Sequence, residues 1–383
     1  MTAQPNLHWA AVWGCSPSIS RIAPARYARD ITLRCAVRTL LDGSRIRLRL
    51  NNYGASEDAV ITRVTIAPCD EAGVWTTDMP RVLTFDGRER LCIPAGGSAL
   101  SDPVDVPVVR GGDVAVSLYL GEFVPLATGT EISGPLTRQW FCEGDGSLCA
   151  ELPAVHTMRT ETCFFMDTVE VLTDAEHRGV VCFGDSITAQ SWPDQLALRL
   201  TEENRTGLAV VRRGIGGSRV FHAYANVQHR CYGPDGFARF EREIDVPAAD
   251  RVVVLHGIND LMHPNGTVFR PWSDFPTAEE MIEGLRFYIR KAHEQGKKIC
   301  LGTIMTFKGW QTWNEERESR RQAVNEWIRT QTEADAVADF DAATRSAEDP
   351  QMRDPACDCG DHVHPSLEGA RRMAACVPEA FLL

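Results

Sequence analysis

Between residues 45 and 50 the chain reads RIRLRL, so Ile46, Leu48 and Leu50 alternate with Arg45, Arg47 and Arg49. A period of two predicts a strand with one buried and one wet face. DITLRCAVRT, residues 30–39, repeats the pattern with Ile31, Leu33, Cys35 and Val37 on one side. AVITRVTIA (59–67) and DVAVSLYL (113–120) continue it. Between these runs lie the turn formers LDGS, NNYGASED, FDGRE, PAGGS and RGGD. Many short alternating strands and no long helical pattern predict an antiparallel β-sandwich, an accessory domain over residues 1–174.

The period changes after LTDAEHRG, residues 172–179. The runs VVCF, LAVV, RVVVLHG, KKICLGTIM and AVADFD read as parallel strands buried on both faces. Between the third and fourth lies TAEEMIEGLRFYIRKAHEQG, residues 277–296. Thr277 and Glu280 have capping-box spacing, Met281, Ile282, Leu285, Ile289 and Ala292 form one stripe, and Gly296 is a natural stop. A second helix is expected over 314–332 and a last one after Pro365. Strands alternating with helices predict a doubly wound α/β domain over residues 175–383, with its ligand site beyond the carboxyl ends of the strands.

Composition narrows the field. The chain has 383 residues, enough for two domains, and is 44% hydrophobic and 24% charged. Its formal charge of -12 disfavours a nucleic-acid backbone or an anionic membrane as partner. No apolar run approaches the roughly 20 residues of a membrane span. The N-terminal stretch MTAQPNLHWAAVWGCSPS has no basic segment followed by an apolar one, so no signal peptide is expected. Thirteen irregularly spaced cysteines, several in apolar runs, fit reduced thiols in a cytoplasmic protein. A secreted protein with a trimmed N terminus is the weaker reading.

Four short stretches carry chemistry. FGDSI places Ser186 after the first parallel strand; RRGIGGSR (212–219) follows the second; LHGIND (255–260) follows the third; GDHVHP (360–365) precedes the last helix. A parallel sheet brings them to one rim. A serine hydroxyl needs a neighbouring base to attack at neutral pH, and His364 can supply it. Asp361, three residues earlier, can fix the imidazole tautomer. The N–H groups of Ser186 and Gly217 and the amide of Asn259 can hold an oxyanion. Gly217 has no Cβ to keep the backbone from a ligand.

These stretches resemble the blocks of the SGNH hydrolase family, the GDSL-type esterases and lipases, named for residues that are Ser186, Gly217, Asn259 and His364 here. The first block reads GDSI, the second GIGGSR, the third Gly257-Ile258-Asn259-Asp260, and the last Asp361-x-x-His364 followed by Pro365. The resemblance implies a flavodoxin-like α/β/α catalytic domain, and it selects His364 over His362 as the base. WPDQLALRL, YGPDGFARFEREI and HWAAVWGCSPS extend it to a subgroup with an N-terminal β domain, associated with acyl or acetyl ester hydrolysis, often on carbohydrate.

The expected activity is therefore that of a serine esterase acting through an acyl-enzyme on short acyl groups, acetyl above all, of carbohydrates or small alcohols. A thioesterase or lysophospholipase with the same machinery is the alternative, and a carbohydrate-binding protein with a vestigial esterase domain is another. Asp185, Arg219, His362 and Trp310 are the candidates for substrate contact, with turn bracing the stronger reading for Asp185. Asp260 is expected to brace its loop. In CDCGDHVH, Cys357, Cys359, His362 and His364 offer a rival zinc site, and RRGIGGSR a weaker dinucleotide site. The esterase reading needs no metal or cofactor. Its expected partner is an ester substrate, with no nucleic acid, no stable membrane insertion, and self-association left open.

Overall fold

The computed structural model describes residues 6–20, 27–153, 158–160, 162–174, 176–205 and 207–383. The chain divides into two compact units, Met1–Gly179 with Leu200–Val211, and Val180–Arg199 with Arg212–Leu383. The expected boundary at 174/175 abuts Ala175, which lies outside the described residues.

In the first unit the alternating arginine strand spans Gly43–Asn51, with Ile46, Leu48 and Leu50 fully buried. Its arginine face is half-buried rather than wet, because neighbouring strands bring carboxylates to it. Arg47 Nε donates to Glu170 at 2.6 Å, and Arg45 pairs with Asp105 at 3.0 Å. The strand lies in a five-stranded antiparallel sheet, between Met166–Asp174, itself flanked by Leu7–Gly14, and the short strands Ser98–Leu100 and Val104–Val108. A six-stranded antiparallel sheet holds Ile31–Arg38 between Thr137–Glu143 and Asp113–Leu120. Trp13 of the first sheet donates its indole N–H to Thr137 of the second at 2.8 Å.

Two further sequence expectations fail here. AVITRVTIA is not one strand; it breaks at Thr62, and Ala59–Ile61 pairs with Leu91–Ile93 while Arg63–Cys69 joins the larger sheet. Ile31–Arg38 has no wet face, since Thr32, Arg34 and Ala36 are buried along with Leu33, Cys35 and Val37. Burial of Arg34 is tolerated because its donors are used. They reach Ser117 Oγ at 2.9 Å and the carbonyls of Ala150 at 2.9 Å, Cys149 at 2.6 Å, Gly73 at 3.2 Å and Gly146 at 3.3 Å.

The C-terminal part is α/β. Five strands, Arg178–Gly184, Leu208–Gly214, Ala249–Leu255, Lys298–Gly302 and Ala336–Ala338, form a parallel sheet in the order second, first, third, fourth, fifth. That is the flavodoxin-like order, with its switch point beside the first strand. The helix after the third strand runs Ala278–Glu294 with the Thr277–Glu280 capping box formed, and Gly296 follows at φ +69°. Asn314 caps Glu315–Thr330, and Ser366 caps Leu367–Cys376. Among the described residues no helix is long and apolar enough to cross a membrane.

Candidate active site

The first strand is buried from Gly179 to its end at Gly184. A Cβ on Gly184 would fall 2.1 Å from the Leu255 carbonyl oxygen, so only glycine lets the first and third strands approach this closely. Asp185 then caps a one-turn helix, Ser186–Ala189, by accepting the Ile187 N–H at 3.0 Å. The residues on either side of Ser186 are buried, while Ser186 itself is partly exposed. The turn therefore presents one hydroxyl at the carboxyl edge of the sheet.

Asp361 and His364 arrive from the loop before the last helix. Asp361 Oδ1 accepts the N–H groups of Val363 at 2.9 Å and His364 at 2.8 Å, which closes a tight turn. Its Oδ2 lies 2.6 Å from His364 Nδ1, and His364 Nε2 lies 2.7 Å from Ser186 Oγ. Burial works to raise the Asp361 carboxyl, but the His364 side chain and the two N–H donors outweigh it and hold it well below the usual carboxylate range. An ionised carboxylate at Nδ1 keeps that nitrogen protonated and leaves Nε2 free to accept the serine proton.

Two loops complete the rim. Gly217 follows the second strand at φ +79°, in the left-handed region that favours glycine. Asn259 is buried in the short helix Ile258–Met262, and its Nδ2 donates to the Ser218 carbonyl at 2.9 Å. Both oxygens of Asp260 accept the Val220 N–H, at 3.0 and 2.8 Å, and Oδ1 also accepts from Phe221 at 3.3 Å. The third-strand loop is thus tied to the second-strand loop by side chains at 259 and 260. Among the described residues the N–H groups of Ser186 and Gly217 have no backbone acceptor, so both are available to a ligand.

Residues 182–372 match the family described as GDSL-like Lipase/Acylhydrolase. They form a GDSL-like domain. No curated protein matches the chain. Among solved structures it is similar to a GDSL-like lipase from Bacteroides thetaiotaomicron, at 18% identity over 53% of this chain and 87% of that one, with a TM-score of 0.38. It is also similar to an acetylxylan esterase from Geobacillus stearothermophilus, at 22% identity over 53% and 94% of the two chains, with a TM-score of 0.40.

The other sequence candidates occupy the GDSL-like domain differently. Asp185 is fully buried; burial pushes its carboxyl up to about 7, and its Oδ2 has no hydrogen-bond partner among the described residues. Arg219 is buried too. Its Nη1 pairs with Asp274 at 3.0 Å, its Nε donates to the His222 carbonyl at 2.9 Å, and its guanidinium covers the Tyr224 ring at 4.2 Å. His362 is half-exposed at φ +65°, with Nδ1 3.0 Å from Asp358 Oδ2 and its ring over Gly309. Trp310 is half-buried in the loop after the fourth strand.

Of the rival zinc set, His364 has both ring nitrogens engaged, by Ser186 and Asp361. The residues that do lie within mutual reach there are Asp358, Cys359 and Asp361, a different group from the one the spacing suggested. Two further histidines are held neutral by burial. His256 lies 2.9 Å from the Tyr288 hydroxyl and titrates well below the usual range, and His263, beside the Tyr224 hydroxyl, is pushed down to about 3.

Sequence reasoning missed Arg239. It is fully buried in the helix Gly236–Ile244, and its Nη2 donates to the Gly184 carbonyl at 2.5 Å and to Ser218 Oγ at 3.3 Å. It joins the strand end before Ser186 to the Gly217 loop. In the sequence it is one charge among several in FARFEREI, with nothing to distinguish it from a solvated face.

Proposed function

We propose that the protein is a serine esterase working through an acyl-enzyme. The reading rests on one observation: the unbroken chain from Asp361 through His364 to Ser186, at 2.6 and 2.7 Å. Ser186 Oγ attacks the ester carbonyl carbon as His364 Nε2 takes its proton. The N–H groups of Ser186 and Gly217 and the Asn259 amide receive the oxyanion. His364 returns the proton to the leaving alcohol, and Asp361 holds the imidazolium. A water, deprotonated by His364, then releases the acid and restores Ser186. No step calls on a metal or cofactor.

The substrate we propose is a short acyl ester, acetyl above all, of a carbohydrate or small alcohol. The formal charge of -12 favours a neutral substrate over an anionic lipid surface. In the same reading, residues 1–174 are an accessory β-sandwich and 175–383 the catalytic domain. The thirteen irregularly spaced cysteines, several of them in apolar runs, fit a reducing compartment such as the cytoplasm.

The test is hydrolysis of p-nitrophenyl esters of increasing chain length and of acetylated sugars, by wild type and Ser186→Ala. Hydrolysis of the short esters, lost in the variant, is expected. Wild-type activity that survives in Ser186→Ala removes the mechanism, and cleavage of long chains alone removes the short-acyl preference.

A further inference from the structure

Gly217 is crowded by one side chain from outside the four motif stretches. A Cβ at 217 would lie 2.3 Å from Tyr232 Cγ and 2.4 and 2.6 Å from its two Cδ atoms. The tyrosine ring therefore fills the space that any larger residue at 217 would need. Tyr232 ends the 3-10 turn Val227–Tyr232 and is partly exposed.

The same ring reaches the segment that carries Asn259. It stacks on His263 with centroids 5.8 Å apart and planes 22° apart, and it meets Tyr224 edge-on at 5.2 Å. His263 closes the Asn259 helix by donating its N–H to the Asn259 carbonyl at 3.0 Å. Its Nδ1 bonds the Tyr224 hydroxyl. Tyr232 is thus in contact both with Gly217 and with the residue that terminates the Asn259 helix.

We infer that Tyr232 is a positioning residue for the oxyanion donors: its ring sets the spacing and aim of the Gly217 N–H relative to the Asn259 amide. The inference rests on the esterase reading above and adds a residue to it. Glycine occupies positive and negative φ with similar ease, so the backbone at 217 has little preference of its own for the observed φ. A donor counts toward catalysis only if it points where the negative oxygen forms, about 2.7–3.1 Å away. A ring pressed on the Gly217 α-carbon removes the alternatives.

The experiment compares wild type with Tyr232→Phe, Tyr232→Leu and Tyr232→Ala on p-nitrophenyl acetate. Active sites are counted by a fluorophosphonate titration run to completion. Affinity for methylboronic acid, whose serine adduct mimics the tetrahedral intermediate, is measured alongside. Loss of a whole donor typically costs about a hundred- to a thousandfold, so a misdirected one in Tyr232→Ala is expected to lower kcat roughly ten- to hundredfold. KM should stay within about threefold, and boronate affinity should fall by the same factor as kcat. Tyr232→Phe should keep wild-type values. A purely structural role would lower the melting temperature and leave kcat per titrated site and boronate affinity intact.

A folded Ala variant with kcat within about threefold of an active wild type overturns the inference alone. So does a Phe variant that falls as far as Ala. If the Ala protein does not fold, Tyr232→Leu carries the test, and wild-type kcat with wild-type boronate affinity in that variant overturns the inference. A wild type that cleaves no ester removes the esterase reading, and this inference with it.

Discussion

Replacing Asp361 by Asn probes the proposed machinery with little change of shape. Asp361 uses its two oxygens for different tasks: Oδ1 accepts two backbone N–H groups, and Oδ2 faces His364 Nδ1 at 2.6 Å. An asparagine can keep its carbonyl oxygen toward the two N–H groups, so the turn survives. Its NH2 then takes the place of Oδ2 and can only donate. His364 Nδ1 must give up its proton to accept that bond, and the proton moves to Nε2. An Nε2–H, 2.7 Å from Ser186 Oγ, cannot take the serine proton.

The magnitude follows from the triad and from exposure. The corresponding change in the Ser-His-Asp template costs about 10⁴ in kcat. The Asp361 side chain is 39% exposed, so solvent partly replaces what the carboxylate did for the imidazolium. A loss of roughly 10³ is the expectation, or about 4 kcal/mol at about 1.4 kcal/mol per tenfold. The assay is kcat per titrated site on p-nitrophenyl acetate, with KM expected within about threefold of wild type. The fold supplies a control. A carboxyl held below its ordinary range contributes stability above that range and loses it as pH falls through the folded-state value. The asparagine side chain does not titrate, so acid should lower the melting temperature less in the variant than in wild type. An Asp361→Asn enzyme that keeps more than about a tenth of wild-type kcat refutes the assigned tautomer.

Other outcomes follow from buried groups. The Asp185 carboxyl is pushed up to about 7 by burial, so its ionisation costs the fold stability as pH rises from about 4 through 7. Asp185→Asn keeps an acceptor for the Ile187 N–H and is expected to be more stable than wild type at pH 8, by up to about 4 kcal/mol of unfolding free energy, with no gain at pH 4; equal unfolding free energies at pH 8 refute it. Arg34→Met takes the donors from the Gly146 and Cys149 carbonyls. It should destabilise the N-terminal unit by about 2–4 kcal/mol and speed amide exchange in residues 144–151; unchanged exchange there counts against it. Ser186→Ala should abolish ester hydrolysis with an unchanged melting curve.

How far the sequence carries depends on whether a residue's environment is set by its neighbours in the chain. Strands buried on both faces carry short apolar runs, and the cores of the first four parallel strands stand out for that reason. The capping box at Thr277 and the stop at Gly296 are local too, and the observed helix, Ala278–Glu294, matches the pattern within a residue or two. The pairing of Asp361 with His364 is equally local, because one turn of chain closes it. What the pattern misread was always a contact made from far away. The alternation in DITLRCAVRT promised a wet face for Arg34, yet loop carbonyls more than a hundred residues on, from Gly146 to Ala150, envelop its guanidinium. Arg239 and Tyr232 belong to the same class. One is held by the Gly184 carbonyl, the other by Gly217 and His263, and no spacing within their own stretches encodes either partner. Groups that react can be read from short motifs because the chemistry restricts residue type. Groups that aim them are restricted only by the space left over, and that space exists only once the chain has folded.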